Sequence, residues 1–214
     1  MESRNQLSLL SAPALRSSPR AGTRAPAGRA RAFRHAAALA ACSILAAASP
    51  AWSRVYLTQK EALEHAFPPG CSVERRTLFL EDEEVNAIQA KAGAKVDTKV
   101  VTYYIGKDAT GRLLGHAFFE TRTIRTMPAT YMAVVDPDSS IRAAEILAFH
   151  EPEDYLPPER WLAQFTGKTL HDDLRVKGGI HGMSGATLSS WAFSDGIRRI
   201  LAIYEVAVSK ERRR

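Results

Sequence analysis

The first third of the predicted domain shows helix and strand patterns in alternation. Apolar side chains recur at helical spacing over residues 57–67 and predict a helix. Thr58 stands three residues before Glu61, which is the pattern of a capping box at the start of a helix. Residues 73–80 (VERRTLFL) favour a strand, because β-branched and aromatic residues dominate their apolar positions. Residues 81–93 predict a second helix, which starts with acidic residues and stops at a glycine.

The hydrophobic period then changes to that of a sheet. Four segments rich in β-branched and aromatic residues are separated by Gly, Pro, Asp and Ser, and they lie at 99–105, 113–122, 130–135 and 141–149. An antiparallel meander is the simplest interpretation. Residues 157–167 predict a short helix with proline at its start and glycine at its end.

A last helix is predicted from about Ala186 to about Val208. One side of it is an apolar stripe, made of Phe193, Ile197, Ile200, Leu201, Tyr204 and Val208. The opposite side is expected to face water and carries Asp195, Arg198, Arg199 and Glu205. Helices at both ends of a sheet of four or more strands predict an α+β fold, an antiparallel sheet packed with helices.

The N-terminal segment, residues 1–53, has the composition of a targeting signal. Arginines precede the apolar stretch 36–49 (AAALAACSILAAAS), and small residues follow Pro50. We therefore expect a signal peptide cleaved near Ser53 and a periplasmic protein; an uncleaved N-terminal anchor is the alternative. The folded domain is then 54–208, followed by a basic tail at 209–214.

Removal of the leader changes what the charge implies. Residues 1–53 carry seven of the 29 basic residues and one of the 23 acidic residues, so the rest of the chain has 22 of each. A neutral domain gives no indication of nucleic-acid binding. Cys71 is the single cysteine left, which excludes an intrachain disulfide in the mature chain.

Common catalytic and cofactor motifs are missing from the sequence. Gly182-Met183-Ser184-Gly185-Ala186 approaches the GxSxG nucleophile elbow, but every histidine precedes the serine, against the chain order of that class. No histidine pair has zinc-site spacing, and neither GxGxxG after a strand nor GxxxxGK[ST] occurs. A hydrolase, a metal site and a dinucleotide fold therefore have no support.

The segment HGMSGATLSS, residues 181–190, combines small and hydroxyl-bearing residues at the start of the last helix. Free backbone N–H groups and the helix dipole favour an anion there, such as a phosphate. Gly185 removes the side chain that would block its approach, Ser184 is expected to cap the helix, and Thr187 offers a hydroxyl in the first turn. Ordinary helix capping is the alternative interpretation of these residues alone.

At this motif the sequence resembles the FMN-binding domain family. That family includes the G subunit of Rnf-type electron transport complexes and the C subunit of the sodium-pumping NADH:quinone oxidoreductase. Its Dxx(S/T)GAT motif carries FMN on the last threonine through a phosphoester, and SGAT here ends at Thr187. The segments 55–68 (VYLTQKEALEHAFP), 121–138 (TRTIRTMPATYMAVVDPD) and 149–168 (FHEPEDYLPPERWLAQFTGK) extend the resemblance to about residues 55–205.

The resemblance implies a covalently bound FMN and a set of residues around it. The cofactor-binding residues it implies are Thr187, Ser184, Gly185, Ala186, Glu151, His150, Tyr155 and Ser190. Tyr131 and Met132 are further candidates for packing on the flavin ring, with core packing as their alternative, and Ser189 for contact with the phosphate. The implied function is electron transfer between a membrane-bound redox partner and a periplasmic acceptor, after maturation by a flavin transferase. FMN links two-electron donors to one-electron acceptors, so a carrier is expected before an enzyme with a small substrate of its own.

One position departs from the family motif. His181 stands where the motif has aspartate, three residues before Ser184. If the transferase reads that aspartate, attachment to Thr187 is slow or absent, and the protein is a non-covalent FMN binder or an apo adaptor module of a membrane redox complex. A flavin reductase that acts directly on a small acceptor is a third alternative.

Overall fold

The computed structural model describes residues 54–211, so the predicted signal peptide and the last three residues of the predicted tail lie outside its described part. Its strands are β1 (Arg54–Val55), β2 (Ser72–Phe79), β3 (Val100–Lys107), β4 (Leu113–Thr123), β5 (Pro128–Val135) and β6 (Ile141–Phe149). Its helices are α1 (Gln59–Ala66), α2 (Asp82–Ala92), α3 (Glu159–Leu162), α4 (Thr187–Ile203) and α5 (Ser209–Glu211). Short 3₁₀ segments occur at Glu153–Tyr155 and Ala163–Phe165, and a π-helical segment, Tyr204–Val208, joins α4 to α5.

The strands form one six-stranded sheet in the order β1-β6-β5-β4-β3-β2, and every neighbouring pair is antiparallel. The predicted α+β fold with an antiparallel meander is confirmed. Sequence patterns missed β1, because it contains only two residues, both exposed, and so shows no period.

Helices cover both faces of the sheet. On one face α1 packs over a small cluster of buried residues, Ala62, Phe67, Ala117, Met132, Val134 and Leu147. On the other face α2 and α4 share the larger core, in which Ile88 of α2 and Ile197 of α4 meet Tyr103, Phe118 and Tyr131 of the sheet. The sheet therefore supports α4 from Phe193 onward.

The two predicted helix boundaries near the start of the domain follow from capping. Thr58 and Glu61 form the predicted capping box, in which each side chain bonds the other residue's backbone N–H. Gly93 ends α2 with φ of 58°, a left-handed conformation that glycine adopts at little cost. Both predictions are confirmed.

The polar side of α4 differs from its prediction. The predicted apolar stripe is buried, but Arg199 is only 4% exposed and does not face water. Its guanidinium bonds the carboxylate of Glu120 on β4 and donates to the backbone oxygen of Lys95 at 2.9 Å. A buried arginine needs such partners, and a partner on a distant strand cannot be read from the period of one helix.

Candidate functional site

A tight turn leads into α4. The backbone N–H of Ala186 donates to the oxygen of Met183 at 3.2 Å, so residues 183–186 form a turn with Ser184 and Gly185 at its centre. Gly185 has φ of 78°, as glycine commonly has at the third position of a type II turn. The expectation that Ser184 caps the helix was wrong, because this turn leaves Ala186 as the N-cap residue, without a side-chain hydrogen bond.

Ser190 holds this turn against the first turn of α4. Its hydroxyl accepts from the backbone N–H of Met183 at 3.0 Å and donates to the oxygen of Ala186 at 3.1 Å. The residue is completely buried. In this structure the hydroxyl is therefore engaged in fixing the loop, behind the surface on which a ligand would lie.

The short helix α3 and the 3₁₀ segment after it fix the chain just before the turn. The indole N–H of Trp161 donates to the backbone oxygen of His181 at 2.6 Å, and the backbone N–H of His181 donates to Oε1 of Gln164 at 2.8 Å. These bonds hold the backbone of His181 and leave its side chain exposed. The residue that departs from the family motif thus lies on a well-anchored loop.

The first turn of α4 is open to solvent and has no side-chain cap. The first N–H groups of a helix lack partners within it, and Ala186 has no side-chain acceptor to offer. Thr187 is exposed, so its hydroxyl is accessible. Ser189 is 1% exposed, and its hydroxyl oxygen makes no hydrogen bond within the described residues. Uncapped donors and an unpaired buried hydroxyl are features that an anionic ligand would satisfy.

A cleft of about 280 Å³ lies at this turn and is called the Thr187 cleft below. Its lining residues are Arg125, Tyr155, Gly185, Ala186, Thr187, Leu188 and Ser189. The guanidinium carbon of Arg125 lies 4.8 Å from the centre of the Tyr155 ring, within cation–π range. The structure thus brings the predicted residues 185–187 and Tyr155 together, with a positive charge beside them.

Glu151 is not among the residues that line the cleft. Its Oε1 accepts from the backbone N–H groups of three consecutive residues in the β4–β5 loop. The donors, at 2.9, 2.7 and 2.9 Å, are Arg125, Thr126 and Met127. Burial alone raises the pKa of the Glu151 carboxyl, but these N–H groups and the charge of Arg125 outweigh it and lower that pKa below its ordinary value. The carboxylate is therefore ionised at neutral pH.

Three other residues considered in the sequence do not line the Thr187 cleft. His150 is half-buried at the end of β6, where its backbone N–H donates to the oxygen of Pro128 at 3.1 Å. Tyr131 is buried under α4, with its ring 4.8 Å from that of Phe193. Met132 is buried on the α1 side of the sheet. Tyr131 and Met132 are therefore core residues, which was the alternative interpretation of both.

Arg125 was missed by the sequence reasoning, although it lies within the segment TRTIRTMPATYMAVVDPD that carried part of the resemblance. A single arginine in a loop is usually a solvated side chain. Its position over Tyr155, two strands later in the chain, depends on how the β4–β5 loop folds back. No local spacing signals that contact.

A larger cleft, of about 740 Å³, lies elsewhere, between the end of α1, β6 and the α3 region. Of the residues considered in the sequence, Met132 lines this larger cleft, and the eight cofactor-binding residues implied by the resemblance do not. Within residues 54–211 no group of three or more metal-ligating side chains is found, and no helix is long and apolar enough to cross a bilayer. The Thr187 cleft brings together Tyr155 and residues 185–187 of the predicted set, whereas Ser184, Ser190, Glu151 and His150 are not among its lining residues.

Comparison with known proteins gives a likeness to solved structures alone. No protein-family model and no curated protein matches the sequence. Among solved structures, the chain is similar to the crystal structure of Shewanella oneidensis NqrC, with 16% sequence identity and a TM-score of 0.49. The match covers 67% of this chain and 85% of that chain.

Proposed function

We propose that this protein is a periplasmic electron-transfer flavoprotein that carries FMN on the Thr187 hydroxyl through a phosphoester. It passes electrons between a membrane-bound redox partner and a periplasmic acceptor, and a flavin transferase loads it. The observation that carries the proposal is the position of Thr187. This exposed hydroxyl stands in the uncapped first turn of α4, in a cleft that also holds Arg125.

The cleft has positive charge and hydrogen-bond donors that suit a phosphate. Free N–H groups at the helix start and the positive end of the dipole stabilise negative charge. Arg125 adds a cation to the lining, and Ser189, whose buried hydroxyl has no hydrogen-bond partner within the described residues, is a further lining residue. These groups fit the phosphate end of a flavin nucleotide, which supports the choice of ligand made from the sequence resemblance.

The size of the cleft supports an exposed ring. A volume of about 280 Å³ is below the roughly 300–1,000 Å³ of sites that enclose a drug-sized ligand. The phosphate and part of the ribityl chain are sized for it, whereas the whole nucleotide is not. When bound, FMN supplies one- and two-electron chemistry, and a ring outside the cleft is accessible to a partner.

Formation of the bond needs an activated flavin. The Thr187 Oγ attacks the flavin-bearing phosphorus of a pyrophosphate-activated flavin nucleotide, the P–O bond to the other phosphate breaks, and the hydroxyl proton leaves to a base of the transferase. Arg125 and the N–H groups of the first turn hold the phosphate oxygens near this hydroxyl. Thr187 thus ends as the tether, and the flavin ring keeps its own reactivity.

The acceptor is tested by in-gel fluorescence after denaturation. The protein is exported together with a flavin transferase, and the wild-type band is expected to fluoresce under ultraviolet light. Thr187→Ala removes the acceptor oxygen and should abolish the signal, while the control Thr77→Ala, at an exposed threonine on β2, should retain it. A dark wild-type band, or a fluorescent Thr187→Ala band, contradicts covalent attachment at this residue.

His181 favours a second candidate, a domain that binds FMN without a covalent bond. Its backbone is anchored by Trp161 and Gln164 and its side chain is exposed, so a transferase that reads this position meets the imidazole. His181→Asp restores the motif residue without a change in buried packing. If the transferase needs the aspartate, intact-mass spectrometry will show a larger flavinylated fraction in His181→Asp than in the wild type. Equal fractions remove the argument for this candidate.

A further inference from the structure

We propose that Glu151 is a positioning residue, which fixes the β4–β5 loop and so holds the Arg125 guanidinium in place for the phosphate of a flavin nucleotide. This rests on the proposed flavin-nucleotide function of the Thr187 cleft. It gives Glu151 a different role from the direct contact with the cofactor that the sequence resemblance implied.

The geometry of the loop carries the first step. Residues 124–127 connect β4 to β5, and the backbone N–H of Ile124 donates to the oxygen of Met127 at 3.1 Å. Inside this loop three successive N–H groups converge on one oxygen of Glu151, at 2.7 to 2.9 Å. Successive N–H groups that point inward form a nest for an anion, and the anion here is supplied by the chain itself.

The state of the Arg125 side chain carries the second step. Within residues 54–211 the arginines Arg122, Arg142 and Arg199 each form an ion pair with a carboxylate, whereas none is found for Arg125. Its guanidinium packs on Tyr155 instead, and it lines the Thr187 cleft. Stacking on the ring face leaves the N–H donors at the edge of the guanidinium for an anion.

The two steps together predict energetic coupling. The N–H of Arg125 is one of the three groups bonded to Glu151, so the same residue carries the loop anchor and the phosphate donor. Without the carboxylate, three backbone N–H groups of the loop lose their acceptor, and the loop that presents the guanidinium is held less firmly. The effect of Glu151 on phosphate recognition therefore passes through Arg125.

A double-mutant cycle with two probes tests the proposal. Non-covalent binding of FMN and of riboflavin, which lacks the phosphate, is measured by flavin fluorescence quenching on the mature exported protein without transferase. Arg125→Ala and Glu151→Ala should each weaken FMN binding by about ten- to a hundred-fold, as expected for loss of a charged hydrogen bond. The double variant should bind no more weakly than the weaker single variant. Riboflavin binding should be unchanged throughout.

Glu151→Gln serves as the conservative variant, because its amide oxygen can still accept from the three N–H groups. It should recover part of the FMN affinity lost in Glu151→Ala, and it keeps the test open if Glu151→Ala fails to fold. Additive losses, or equal losses for FMN and riboflavin, would show a general structural effect and overturn the proposal. A wild-type protein with equal affinity for the two flavins would overturn it as well. If covalent labelling is absent but the double-mutant cycle gives the expected FMN affinities, only the attachment to Thr187 is refuted.

Discussion

The first turn of α4 and the rest of the same helix differ in burial. From Phe193 onward the helix is buried against the sheet, and even Arg199 has its charge paired with Glu120. The first turn has an exposed Thr187, an uncapped N-terminus and a buried hydroxyl at Ser189 without a partner. In one helix, the buried part contributes to stability and the exposed first turn is available to a ligand. Substitutions in the two parts should therefore separate folding from flavin binding.

The buried pair under α4 should give the largest loss of stability. Arg199→Met leaves the Glu120 carboxylate buried beside only Arg122, whose Nε is 3.7 Å away. Removal of one partner of a buried ion pair typically costs about 3–5 kcal/mol. Urea unfolding followed by circular dichroism measures this. Lys60→Ala is the control, because its pair with Glu64 is exposed and such pairs contribute about 0–1 kcal/mol. A loss for Arg199→Met no greater than the control's would contradict the buried role.

Gly196 should give the next largest loss. A Cβ atom at this position would lie 1.6 Å from the hydroxyl oxygen of Tyr131, so Gly196→Ala must displace a buried ring. Overpacking of this kind costs about 1–3 kcal/mol, which exceeds the gain of about 1 kcal/mol from helix propensity. The measurement is the same urea titration.

Tyr131→Phe tests the cause of that loss. The Tyr131 hydroxyl is buried and has no hydrogen-bond partner within the described residues, so its removal alone should not lower the free energy of unfolding. In the Tyr131→Phe background, Gly196→Ala should cost less. An unchanged cost would show that the hydroxyl is not the obstacle.

The features that the sequence predicted correctly are those set by local patterns. The apolar stripe of the helix, the capping box at Thr58 and the glycine that ends α2 are local patterns, and their predictions were confirmed. Thr187 was predicted at the helix start, and the structure places it there. Each of these features depends on residues within a few positions of one another.

Contacts between distant segments were not predictable in this way. Arg199 looked solvated because its partner Glu120 lies on β4, and Arg125 drew no attention because Tyr155 and Glu151 belong to a later segment. Ser184 was expected to cap the helix, but a turn closed between Met183 and Ala186 moved the cap by two residues. The hydrophobic period of one helix or strand carries no information about which distant residues will contact it.

Glu120 and Glu151 should make stability depend on pH with opposite signs. Burial raises the pKa of Glu120 despite the attraction of Arg199, so its contribution is present below the ordinary value of 4.5 and is lost as pH rises through the raised pKa. The pKa of Glu151 is lowered, so its contribution is full above 4.5 and is lost as pH falls through the lowered pKa.

Urea titrations from pH 3 upward, on the wild type and two variants, check these signs. Relative to Glu120→Gln, the wild type should lose stability as pH rises above about 4.5, and relative to Glu151→Gln it should lose stability as pH falls below about 4.5. Both effects should be smaller than those of Arg199→Met and Gly196→Ala, since Gln keeps the size of the side chain. Parallel curves for either pair would contradict the assigned shift.

A charge at Leu188 should give the smallest change in stability and an opposite change in flavin binding. Leu188 is 45% exposed in the first turn, so a charged side chain there stays in water and meets the positive end of the helix dipole. Leu188→Glu should raise the free energy of unfolding by about 0.3–1 kcal/mol, and Leu188→Lys should lower it by a similar amount. For FMN the order reverses, because the carboxylate repels the phosphate at the uncapped turn and the ammonium attracts it. Leu188→Gln is the neutral reference for both measurements. If both variants changed FMN affinity in the same direction, the loss of the apolar side chain would be the cause, and the electrostatic account of the first turn would be wrong.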